Sequence, residues 1–158
     1  MILLSPIGRV KNRRQTIADD DWGGVVSIIE LLEPLGEEAL EHFEEFSHAE
    51  IIFFFDKVEE RQIETGARHP RNNLDWPEVG ILAQRGKNRP NRLGATIVRI
   101  IERRGKTLTV EGLDAIDGTP VLDIKPVIRE FLPRGYVRQP EWASELMRNY
   151  WRTPSRQE

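Results

Sequence analysis

Cysteine is absent from the 158 residues, so the chain has no disulfide framework, no thiolate nucleophile and no cysteine metal site. A reducing cytoplasm is the expected compartment. No apolar run approaches the length of a membrane span. Met1 to Pro6 carry no basic leader and are too short for a signal h-region, so no secretion signal is expected. There is no phosphate loop and no glycine-rich dinucleotide fingerprint, and no serine stands in a nucleophile elbow. Histidine is scarce: His42 and His69 lack ligand spacing, and the aspartates lack the alternating oxygen ligands of a calcium loop, so no metal is expected. Excess positive charge is also missing. A net charge of −3 argues against wholesale affinity for nucleic acid.

What is present is a chain long enough to bury one core, with 39% hydrophobic and 31% charged residues. Short runs rich in Ile, Val, Thr and Phe predict strands at Ile7–Val10, Val25–Leu32, Glu50–Phe55, Gly80–Gln84, Ala95–Glu102, Thr107–Leu113 and Val121–Lys125. Arg103 to Lys106 reads as the turn of a hairpin. The periodicity predicts one helix over Glu37–Phe46 and a second from Pro140 to about Trp151, with Gly66–Pro77 a loop. Many short strands with two small helices imply a mainly β fold, a closed or nearly closed barrel. Residues 1–135 are expected to form it, and 136–158 a helical extension packed on the barrel or on a dimer partner.

Two segments carry candidate chemistry. In Gly80–Gly94, an apolar run opens into a turn holding Arg85, Lys87, Arg89 and Arg92. One reading is a solvated turn whose charges keep an edge soluble. The other is an anion site, with Arg85 forked onto a carboxylate and Arg89 and Arg92 meeting a polyanion such as RNA. The segment Leu113–Pro126 is acidic, with Asp114, Asp117 and Asp123 around Asp117-Gly118-Thr119-Pro120. It is either a plain turn with a surface ion pair, or a pocket for ribose hydroxyls or a sulfonium. Spacing alone leaves both open. His48, after Phe46-Ser47, is expected to cap the first helix or to be a satisfied core residue.

These two segments resemble the TrmO (TsaA-like, YaeB) family of S-adenosylmethionine-dependent tRNA methyltransferases. The family's pattern runs A-T-R-S-P-x-R-P-N-P-I-G and later L-D-x-x-D-G-T-P-V-x-D-I-K-P. Here it reads Ala83-Gln84-Arg85-Gly86-Lys87-Asn88-Arg89-Pro90-Asn91-Arg92-Leu93-Gly94 and Leu113 through Pro126. Pro6-Ile7-Gly8 and Phe46-Ser47-His48 are similar to further landmarks, so the likeness spans about residues 5–128. Gly86-Lys87 replaces Ser-Pro, Arg92 replaces proline, Ala95-Thr96 replaces Leu-Ser, and Asp56 stands where the family has histidine.

The resemblance implies a small closed β-barrel unlike the Rossmann-type methyltransferases, and a homodimer with S-adenosyl-L-methionine near the subunit interface. It implies methyl transfer to N6 of threonylcarbamoyladenosine beside the tRNA anticodon. By position, Arg85 is the cofactor-site arginine and Ala95 offers a backbone contact. Asp117, Gly118, Thr119 and Pro120 form the cofactor-contacting turn, Asp56 and Lys57 at the end of the Phe-rich strand are further cofactor contacts, and Asp21-Trp22 occupies the place of another cofactor segment. Lys87, Arg89, Asn91 and Arg92 are the expected substrate contacts, and Asp56 or His48 is the candidate proton acceptor. Two alternatives stand beside this expectation. One is a methyltransferase of the same fold acting on another RNA or a small molecule. The other is a non-catalytic S-adenosylmethionine-binding protein.

Overall fold

The computed structural model describes residues 1–155. Six antiparallel strands close on themselves: β1 (Gly8–Lys11), β2 (Val26–Leu31), β3 (His48–Phe54), β6 (Leu93–Arg104), β7 (Thr107–Glu111) and β8 (Pro120–Pro126). Their order around the barrel is β1-β2-β7-β6-β3-β8, with β8 returning to β1. A separate two-stranded sheet pairs β4 (Ala67–Arg68) with β5 (Val79–Gly80). The expected mainly β barrel is therefore the observed architecture.

Alternation decides which faces point inward. Ser27, Ile29 and Leu31 of β2, Ala49, Ile51 and Phe53 of β3, and Leu108 and Val110 of β7 are buried, while their neighbours along each strand are more accessible. Except for polar Ser27, they form one core with Val10, Val98, Leu113 and Val121. Full burial of a side chain such as Phe53 contributes about 1.5–3 kcal/mol. Gly94 lies opposite Phe53 in register, and a Cβ there would stand 2.4 Å from the phenylalanine ring. Only glycine lets that ring lie across β6. The predicted hairpin is β6–β7, with Gly105 at φ +56 supplying the left-handed turn residue.

Four local expectations differ from the structure. Glu37–Phe46 is not one helix but two 3₁₀ turns, Glu37–Leu40 and Phe43–Glu45, parted by His42 at φ 64. Like charges at Glu37, Glu41 and Glu45 repel at helical spacing, and neither turn has a side-chain cap. His48 consequently caps no helix; it is exposed at the start of β3, with Ser47 Oγ 2.6 Å from its Nδ1. The run Gly80–Gln84 is strand only at Val79–Gly80 and then winds into a 3₁₀ turn, Ile81–Ala83. Within Gly66–Pro77 the chain holds β4 and a 3₁₀ turn, Pro70–Asn72.

The second helix is the fourth. α1 spans Glu141–Leu146, with Pro140 as its N-cap rather than its first residue. Beyond Leu146 the chain winds on in 3₁₀-type bonds, Arg148 N–H to the Glu145 carbonyl and Tyr150 N–H to the Met147 carbonyl. The carbonyls of Asn149 and Tyr150 accept the amides of Asp21 and Trp22 at 3.1 and 2.8 Å. Residues 156–158 of the expected extension lie outside the described residues.

Candidate functional site

A cavity of about 1160 Å³ lies beside the barrel. Its walls come from β6 (Ala95, Thr96), the β7–β8 connection (Asp114, Thr119), the basic turn (Arg85, Gly86, Lys87), the β4 region (Arg68, Arg71) and the C-terminal tail (Trp142, Leu146, Tyr150). Both motif segments thus reach one space although they are separate in sequence.

The basic turn divides its cations by role. Gln84 is buried, and its amide donates to the carbonyls of Arg68 and Val79, each at 3.0 Å, which pins the turn to the β4–β5 sheet. Arg85 then leans onto β6 and donates to the Ala95 carbonyl at 2.5 Å, leaving the rest of its guanidinium in the cavity. Lys87 lines the same cavity. Arg89 and Asn91 border a smaller adjoining groove instead. Arg89 donates to the Gln84 carbonyl, and Arg92 to that of Val58 at 2.7 Å while stacking 4.8 Å from the Phe54 ring centroid. Arg92, at φ 52, therefore stabilises the turn from within.

The Asp117–Pro120 turn closes the barrel end. Gly118 adopts φ +83, its amide bonds to the Val10 carbonyl at 2.7 Å, and Asp117 accepts the Asn12 amide at 3.0 Å. Pro120 is buried and pairs with Arg9 of β1. Of these residues only Thr119 lines the cavity, its hydroxyl donating to the Ile116 carbonyl at 2.7 Å. Asp56 and Lys57 also line it, as an exposed pair 3.9 Å apart. His48 is not among the lining residues.

Asp21 and Trp22 hold the tail. Arg152 donates to Asp21 at 2.8 Å and holds its carboxyl below the ordinary aspartate range. Trp22 is buried, donates to the Ala18 carbonyl at 3.2 Å and carries the Arg14 guanidinium 3.9 Å from its ring centroid. A Cβ at Gly23 would stand 1.9 Å from the Trp151 carbonyl oxygen, so the loop and tail backbones touch. Only Trp22 of this pair faces the cavity.

Thr96, Tyr150 and Arg68 are among the lining residues to which the sequence reading gives no role at the site. The Thr96 hydroxyl donates to Asp114 Oδ1 at 2.5 Å, and the Tyr150 hydroxyl donates to Asp114 Oδ2. Burial, reinforced by the Asp114 charge, pushes the Tyr150 phenol far above its ordinary value, so it remains a donor. Asp114 is thereby a fixed carboxylate at the cavity wall. A tyrosine bonding an acid 36 positions away leaves no local signature. Among the described residues no cluster of His, Cys, Asp and Glu is arranged to hold a metal ion. Nor is any described helix long and apolar enough to cross a membrane.

Comparison with known proteins agrees with this architecture. The chain is 35% identical over 124 residues to a probable S-adenosyl-L-methionine-binding protein of Pyrococcus abyssi, covering 78% of this chain and 62% of that protein. It is 34% identical over 119 residues to the human tRNA (adenine(37)-N6)-methyltransferase, covering 75% of this chain and 26% of that one. The chain thus spans less than two thirds of the length of either relative. Its fold matches the crystal structure of TrmO from Pseudomonas aeruginosa with a TM-score of 0.71 at 28% identity, over 87% of this chain and 61% of that one. Residues 14–131 match the tRNA-methyltransferase O N-terminal domain, and the chain belongs to that family.

Proposed function

We propose that this chain binds S-adenosyl-L-methionine in the large cavity and transfers its methyl group to N6 of a tRNA adenosine, threonylcarbamoyladenosine beside the anticodon being the acceptor. The observation that carries the reading is the convergence of Arg85, Thr119 and Asp114, from both family motifs, on one cavity. The residues present fit the cofactor. Arg85 has no ion-pair partner among the described residues and suits a carboxylate, and the aromatic and aliphatic tail side chains offer an apolar wall for a nucleoside.

Bound S-adenosyl-L-methionine supplies an activated methyl group on a sulfonium that departs as a neutral thioether. Little acid–base work is then left to the protein, whose task is alignment and exclusion of water. Arg85 holds the methionine carboxylate, and the Thr119 region orients the nucleoside. The acceptor's N6, a ureido N–H in threonylcarbamoyladenosine, would give up its proton to a carboxylate of the wall. Asp114 serves this step better than Asp56, because two hydroxyl donors fix its position whereas Asp56 is exposed. Lys87, with Arg89 and Asn91 at the adjoining groove, meets RNA phosphate.

A homodimer completes the reading, since Phe131, Tyr136 and Val137 are exposed beyond β8 and present apolar surface for a second copy. Within the extension, residues between Gln139 and Trp151 belong to the intramolecular cavity wall, and the cytoplasm is the place of work. The decisive experiment incubates the purified protein with methyl-labelled S-adenosyl-L-methionine and total RNA, then digests the RNA and identifies the labelled nucleoside. Label in N6-methylated threonylcarbamoyladenosine supports the full reading. Label in another nucleoside or a small molecule moves the acceptor, and bound cofactor without transfer reduces the protein to a binder.

A further inference from the structure

Arg68 is a cation without an acid. It is half-buried at the cavity wall, and its Nε is enclosed with no hydrogen-bond partner. Among the described residues its guanidinium makes neither a side-chain hydrogen bond nor an ion pair. Its neighbour Arg71 is treated differently by the fold. Arg71 bonds Asp20 at 3.1 Å and the Asp19 carbonyl at 3.3 Å, as a structural arginine should. Of the acids that line the cavity, Asp56 lies beside Lys57 and Asp114 receives Thr96 and Tyr150, while Asp19 and Glu50 form no ion pair with Arg68.

The backbone of Arg68 is held twice, by pairing with Val79 and by the Gln84 amide on its carbonyl at 3.0 Å. Its guanidinium runs beneath the basic turn, where a Cβ at Gly86 would stand 3.5 Å from Nη2. Arg85 and Lys87 flank that glycine, also without ion partners among the described residues, so three cations gather here. The enclosed Nε–H is costly to leave unpaired, and the two Nη groups, which are not enclosed and have no partner among the described residues, form the planar fork that accepts a carboxylate in two parallel bonds.

We propose that Arg68 binds a carboxylate of a molecule seated in the cavity, a second anion subsite beside Arg85. The assignment rests on the cavity being the place of the proposed reaction. Two sources share this chemistry, the methionine end of the methyl donor and the amino-acid group of a carbamoyl-threonyl acceptor.

Calorimetry on the full chain and on R68Q separates them. S-adenosyl-L-methionine is compared with its decarboxylated analogue, and threonylcarbamoyladenosine with its methyl ester. In one pair R68Q should lose about tenfold or more in affinity for the free acid, while the analogue without a free carboxylate changes by no more than about twofold. Loss confined to the first pair identifies the donor's carboxylate, and loss confined to the second identifies the acceptor's. R68K keeps charge but not the fork and should fall between. Unchanged ratios in both pairs overturn the proposal.

If the unaltered protein binds neither form of the donor, the methyl-transfer reading fails separately. Arg68 is then read directly, through its Nε–H nuclear resonance, assigned by its loss in R68K and titrated with N-acetyl-L-threonine. A saturable shift sustains the carboxylate subsite. A static resonance ends it, and this measurement stands even where R68Q does not fold.

Discussion

The cavity has two walls of different construction. One is barrel: Ala95, Thr96 and Thr119 sit on or beside strands whose backbone groups are paired around a closed ring. The other is tail: Trp142, Leu146 and Tyr150 are held by two backbone hydrogen bonds to the Asp21–Trp22 loop, the Asp21–Arg152 pair, Tyr150 on Asp114, and Trp76 on Glu145 at 2.7 Å. The first wall cannot be displaced without unfolding the core. The second has few anchors, all outside the core, so its occupancy is separable from the stability of the fold.

Substitutions at two glycines break this comparison most directly. G94A drives a methyl group into the Phe53 ring and should destabilise the whole barrel by about 1–3 kcal/mol in urea unfolding. G23A meets the Trp151 backbone instead and should leave the unfolding midpoint within about 0.5 kcal/mol of the original. Chymotrypsin should nonetheless cut its tail faster. If G23A lowers global stability as much as G94A, the walls are not separable.

Y150F removes the phenol from Asp114 but keeps the ring, and should weaken tail docking by about 1 kcal/mol, read as accelerated tail proteolysis. Titration sharpens the same contact. Because the folded phenol's value is raised, its contribution is complete below the ordinary phenol pKa of about 10 and is lost as pH rises beyond it. Tryptophan fluorescence should report tail release in alkali, and Y150F should abolish that component.

The smallest effect belongs to Asp21. Its lowered value makes the Arg152 pair fully present above the ordinary aspartate range and lost only as pH falls through its folded value. D21N should therefore match the unaltered protein in strong acid and differ slightly at neutral pH, less so in high salt.

The strands were legible because alternation over β2, β3 and β7 writes the inward face directly into residue order. Arg85 and Thr119 were legible as cavity residues through the likeness of two motifs. The expected helix over Glu37–Phe46 failed because apolar spacing was weighed above the repulsion among Glu37, Glu41 and Glu45. Apolar character in Gly80–Gln84 hid a turn whose cause is the Gln84 side chain reaching back to Arg68 and Val79. Likewise, Asp21 and Arg92 carry the charge of a ligand site, yet their partners are Arg152 and the Val58 carbonyl.

Residue order by itself determined the barrel and the family, since both are written in short-range pattern: alternation, turn residues and two contiguous motifs. Tertiary structure alone decided which charges are spent within the protein and which face the cavity. Among the described residues Arg71 has an acid and Arg68 has none, a difference between two residues three apart that arises only from what folding brings alongside each guanidinium.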